Sequence, residues 1–82
     1  MKQINIFYNW YQDEYIINEQ RMFIVEKVPA ENKKKSLEEA LKFVSDRYKN
    51  RKLLLEMKIP EKEQEFVENY FLENKNIDYR FK

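Results

Sequence analysis

Ile4, Ile6, Tyr8 and Trp10 fall on one parity of the chain, and Asn5, Phe7, Asn9 and Tyr11 on the other. A period of two with one face more apolar predicts a strand over residues 3–11. The polar group Gln12-Asp13-Glu14 turns the chain, and the run from Arg21 through Phe23 and Val25 to Val28 predicts a second strand over residues 21–28. Tyr15-Ile16-Ile17 either joins that strand or stands as one of its own, because Asn18-Glu19-Gln20 reads equally as a bulge and as a second turn. A hairpin and a three-stranded meander both fit.

Beyond Pro29 the period changes. Leu37, Ala40, Leu41, Val44 and Tyr48 form a single helical stripe, preceded by Ser36 with Glu39 three residues on, the pattern of a capping box. A helix is predicted over residues 36–50, with Asn50 as its left-handed terminator. Leu53, Leu55, Met57 and Ile59 alternate with Leu54, Glu56 and Lys58, predicting a strand over 53–59. Pro60 opens a second helix, 60–74, with Glu61, Glu63 and Glu65 near its positive end and Phe66, Val67, Tyr70 and Phe71 as its apolar stripe. Ile77-Asp78-Tyr79-Arg80-Phe81-Lys82 alternates to the end as a last strand, 77–82.

The order β-β-α-β-α-β places the fold in the α/β class, bordering on α+β, as one small domain over residues 1–82. Two successive strand–helix–strand units imply right-handed crossovers and parallel pairing among the last three strands of a mixed four-stranded sheet. Helices on opposite faces would require inner strands apolar on both parities. Glu56, Lys58, Asp78, Arg80 and Lys82 instead share the parity away from the core. The expected architecture is a two-layer sandwich with both helices on one face and the other face open.

Composition narrows the function. Glycine, histidine and cysteine are absent, threonine is too, and serine occurs only at Ser36 and Ser45. A phosphate-cradling loop needs glycine, and nucleophilic catalysis needs Ser, Cys or Thr beside a base such as histidine, so neither can be assembled. An acid–base pair such as Glu56 with Asp78 reads as solvated surface charge rather than catalysis. No enzyme, cofactor or metal site is expected. Without glycine the left-handed backbone positions fall to other residues, and Asn18, Asn50, Asn74 and Asn76 sit where turns are wanted.

Sixteen basic residues stand against 15 acidic ones, far from the balance of a duplex-DNA-wrapping protein. The charges are nevertheless segregated, with ten bases and five acids between Lys27 and Lys58 and an excess of glutamate after them. Lys33, Lys34, Lys35, Arg47, Lys49, Arg51 and Lys52 make a candidate basic patch. With no cysteine, no apolar run of membrane-spanning length and no signal-peptide pattern, the expected setting is the cytoplasm, away from any membrane. The richness in Lys, Asn, Ile, Tyr and Phe is that of an AT-rich genome, such as a low-GC bacterium or its phages and mobile elements.

Parity puts Ile4, Ile6, Tyr8 and Trp10 under the helices and Phe7 and Tyr11 on the open face, joined there by Arg21, Phe23, Val25 and Lys27. Exposed aromatics beside Arg and Lys are what protein interfaces use as anchors, so Phe7, Tyr11, Phe23, Lys58 and Arg80 are the candidate partner-binding residues. The bland alternative is that the three rings only cover the sheet with their own bulk. The expectation is a non-catalytic protein-binding module, a small adaptor or inhibitor that a phage or mobile element could direct at a host protein, with a second copy of the chain, as a homodimer, among the partners its charge segregation allows. The alternative class is a single-stranded nucleic-acid binder that stacks bases on the open face.

Overall fold

A computed structural model of the chain describes residues 2–20, 23–49, 51–72 and 77–82, with Lys33 as backbone only. Among the described residues seven elements follow one another: β1 (Lys2–Asn9), β2 (Glu14–Glu19), β3 (Phe23–Pro29), α1 (Lys33–Arg47), β4 (Leu53–Lys58), α2 (Glu61–Phe71) and β5 (Ile77–Phe81). The first part is a three-stranded meander, so the sheet has five strands rather than the expected four. Tyr15-Ile16-Ile17 belongs to a strand of its own. The fold is a small α+β arrangement of order β-β-β-α-β-α-β.

The sheet order is β3-β2-β1-β4-β5. β1 pairs antiparallel with β2 and parallel with β4, β4 pairs parallel with β5, and β2 pairs antiparallel with β3. The crossover through α1 thus carries the chain from the β3 edge past β2 and β1, and β3 is no parallel neighbour of β4. We call the end where β1 and β4 finish the upper end. Both helices start there and run down.

One face of the sheet carries Ile4, Ile6, Tyr15, Ile17, Leu53, Leu55, Met57 and Ile77, which form one core with Leu37, Leu41 and Val44 of α1 and Val67 and Phe71 of α2. Both helices therefore lie on the same side, as the alternating strands predict. Phe71 stacks on Tyr79 of β5 at 5.0 Å between ring centroids, which seats α2 over that edge.

α1 begins three residues before the predicted start. Asn32 is its N-cap, accepting a hydrogen bond at its Oδ1 from the Lys35 backbone N–H at 3.4 Å. Ser36 lies inside the helix and is buried. α1 ends at Arg47, with the Tyr48 N–H donating to the Val44 carbonyl at 3.1 Å. α2 starts after Pro60 with Glu61 and Glu63 in its first turn, where carboxylates meet the positive end of the helix dipole.

Among the described residues two have positive φ, Asp13 at 51° and Gln20 at 54°. Asp13 fits the expectation that short polar side chains take such positions. Gln20 does not, but its N–H donates to the Gln3 carbonyl at 3.1 Å and so extends the β1–β2 ladder. Asn18 stays within β2, whereas Asn50, Asn74 and Asn76 lie outside the described residues, as do Arg21 and Met22 of the second predicted strand and the end of the second predicted helix.

Candidate functional site

The open face is ordered in rows by the strand registers. Across its upper half Lys27 pairs with Ile16, Ile16 with Phe7, and Phe7 with Lys58. Below runs a polar row, Ile24–Asn18–Asn5–Glu56–Arg80, and below that Gln3–Leu54–Asp78. Two apolar side chains thus stand at the centre of the upper row with an ammonium group on either side. Phe7 is half-buried and Ile16 buried, although no helix lies over them. Between the two upper rows is a hollow of about 200 Å³ lined by Asn5, Phe7, Asn18, Glu56, Lys58 and Lys82.

Glu56 anchors the polar row. Expected as solvated charge, it is 3% exposed. Arg80 Nε donates to its Oε2 at 2.8 Å, Gln3 Nε2 donates to its Oε1, and Lys82 Nζ stands 3.9 Å from Oε1. Burial of a carboxylate in a small sheet is sustainable only with such pairing. Because a carboxylate only accepts, it turns the nitrogen of the Gln3 amide toward itself, and the same nitrogen reaches Asn5 Oδ1 at 3.4 Å. Asn5 Nδ2 is left pointing elsewhere. Asp78 lies one row lower and is exposed, so it forms no pair with Glu56.

Trp10 and Tyr11 occupy the β1–β2 turn. Trp10 is 70% exposed and Tyr11 81%, with their rings stacked at 4.1 Å. The prediction of Trp10 as core fails because β1 ends one residue earlier. Asn9 Oδ1 accepts from the Tyr11 N–H at 3.2 Å and the Tyr8 hydroxyl donates to Asp13, which together turn the chain at Trp10.

Of the five predicted partner-binding residues, Phe7, Lys58 and Arg80 share the open face. Tyr11 sits on the turn instead. Phe23 is placed opposite Glu19 by a register shift between Ile17 and Asn18, and Glu19 reaches the helix side. The same bulge packs Val25 against the core, leaving Lys27 on the open face and bringing Ile24 there. Both corrections have one cause, since an extra residue in a strand flips the parity beyond it.

The seven basic residues do not form one patch. Lys33, Lys34 and Lys35 open α1 at the upper end, and Arg47 closes it about 20 Å away by helical rise, with Lys49, Arg51 and Lys52 beyond. At the lower end Lys2 Nζ lies 2.7 Å from Glu19 Oε1, and the Tyr48 hydroxyl donates to Glu19 Oε2 at 2.7 Å. Lys2, then Tyr48, hold the Glu19 carboxyl below its ordinary range. Burial, then the bond to Glu19, raises the Tyr48 phenol.

Sequence reasoning did not single out Asn5, Asn18, Gln3 or Ile16 as candidate site residues. Strand parity puts Asn5 beside Phe7, but only the register brings Asn18 opposite it. Among the described residues no cluster of three or more acidic side chains is placed to hold a metal ion, and no helix is long and apolar enough to cross a membrane. No protein-family model, curated protein or solved structure matches the chain.

Proposed function

We propose that this chain is a non-catalytic protein-binding module, an adaptor or inhibitor that engages its partner through the open face of the sheet. The observation that carries the reading is the row Lys27–Ile16–Phe7–Lys58, apolar in the middle and cationic at both sides. Its complement is a protein segment with apolar side chains at its centre and carboxylates at its flanks. A second copy of the chain would set like charges against each other there. Stacking of unpaired bases favours several rings on one surface, whereas among the described residues Phe7 is the one ring on this face, with Tyr11 on the turn and Phe23 on the helix side. Arg80 and Gln3 occupy the Glu56 carboxylate, which speaks against its use as an acid or base.

Capture from a nuclease-treated lysate of a low-GC bacterium tests this with wild type, Phe7→Ala, Lys58→Glu and, as a control on the outer side of α2, Glu68→Ala. The bound protein should fall about tenfold or more with either open-face variant and stay constant with the control. Capture indifferent to Phe7 and Lys58 would overturn the reading. Recovery of nucleic acid alone from an untreated lysate, lost with rising salt, would replace it with the single-strand alternative.

A further inference from the structure

Trp10 and Tyr11 form a blade at the tip of the β1–β2 turn, both largely exposed, with their rings stacked at 4.1 Å. The turn beneath them is fastened on both sides. The Tyr11 N–H donates to Asn9 Oδ1 at 3.2 Å, the Tyr8 hydroxyl donates to Asp13, and the Ala30 N–H donates to the Asp13 carbonyl at 2.9 Å, which ties the turn to the end of β3. A Trp–Tyr pair held out in water on a rigid support is a preorganised anchor, because little freedom is left to lose on docking. Its surroundings are acidic: residues 3–20 contain Asp13, Glu14 and Glu19 and no Lys or Arg. Glu19 is engaged at the lower end, whereas Asp13 is exposed beside the blade.

The hollow of the open face has the opposite character. Phe7 lines it, and the exposed Lys58 and Lys82 stand at its rim. The Lys82 N–H donates to the Met57 carbonyl at 2.9 Å and carries the β4–β5 ladder one step on, so the two lysines are neighbours in one row. Like charges so placed repel, and among the described residues Lys58 makes no ion pair. In size the hollow suits a single ring, since it measures about 200 Å³ and a cavity of about 150 Å³ already accommodates benzene. We propose that the blade of one copy of this chain docks in the hollow of a second. Trp10 enters against Phe7 beside the Lys58 and Lys82 ammonium groups, a cation–π arrangement, and the Asp13 carboxylate of the entering turn supplies the opposite charge. Face to face, two copies oppose like charges; turn to face, they oppose unlike ones. Turn and hollow are different patches, so the contact is heterologous and leaves each pair with a free turn and a free hollow for further copies. It is also small, which makes the association weak and concentration-dependent. Because it occupies Phe7 and Lys58, self-association withholds the open face from the partner proposed above, and only this last consequence rests on that reading.

The chain has one tryptophan and so reports its own docking. As wild type is concentrated into the millimolar range, Trp10 emission should move to shorter wavelength while sedimentation shows species larger than a dimer. Trp10→Ala and Lys58→Glu, both at exposed positions, should each stay monomeric. An equimolar mixture of the two should give dimers and nothing larger, because each variant supplies the half that the other lacks. A wild type that stays monomeric or stops at the dimer, a Trp10→Ala that associates as wild type does, or a mixture that stays monomeric would overturn the proposal. Should wild type stay monomeric while Phe7→Ala still abolishes partner capture, the open-face reading stands and the second copy alone falls.

Discussion

At the residue scale, strand alternation assigns Phe7 to the open face and Trp10 to the core, and the two fare differently. Phe7 lies on the open face as alternation predicts, whereas Trp10 leaves the core because the strand stops at Asn9. Parity is legible in a sequence, but the residue at which it ceases depends on side-chain hydrogen bonds of the turn, here those of Asn9 and Tyr8 with Tyr11 and Asp13. Trp10→Ala should accordingly cost about 1 kcal/mol or less, the order of an exposed ring pair. Ile6→Ala should cost about 2–5 kcal/mol, since Ile6 is 1% exposed and its removal leaves a cavity beneath the helices. Urea melts of the two variants measure the contrast, and equal losses would mean that Trp10 is packed after all.

At the scale of elements, α1 shows how a strong local signal can point to the wrong residue. Ser36 and Glu39 match a capping box, yet Asn32, a side chain that caps as well as serine does, starts the helix a turn earlier and lets Ser36 pack inward. The early start places Lys33, Lys34 and Lys35 at the positive end of the dipole, an unfavourable arrangement that a sequence reading steers away from. Asn32→Ala should lower stability by about 1 kcal/mol, or about 4–8 °C in Tm for a domain of this size, and Ser36→Ala should be close to neutral. Thermal melts decide between the two caps, because a reversed ranking would restore Ser36. The β3 bulge is the other element-scale surprise. Nothing in Phe23-Ile24-Val25-Glu26 announces it, since it arises from how β3 meets its neighbour.

At the scale of the whole molecule, the helix side and the open side of the sheet are legible because β4 and β5 alternate cleanly. The strand order is not, because neither helix length nor loop length says which strand a crossover must reach. The lower end is fastened by Glu19, which joins β2 to Lys2 of β1 and to Tyr48 after α1. Its carboxyl is held below the ordinary value of 4.5, so its contribution is complete above that pH and disappears as the pH falls through the lower native value. Wild type should lose urea resistance between about pH 5 and pH 2 more steeply than Glu19→Gln; parallel profiles would show that Glu19 carries no such linkage. The same sheet order has a mechanical consequence. β1 and β5 both run upward with β4 between them, so tension applied at Lys2 and at Phe81 draws the two strands past each other along their lengths. Both parallel ladders are then loaded in shear, all bonds at once, instead of being peeled open singly. Within a tethered chain this domain would be a stiff link, and the β2–β3 hairpin, outside the line of force, would bear none of the load.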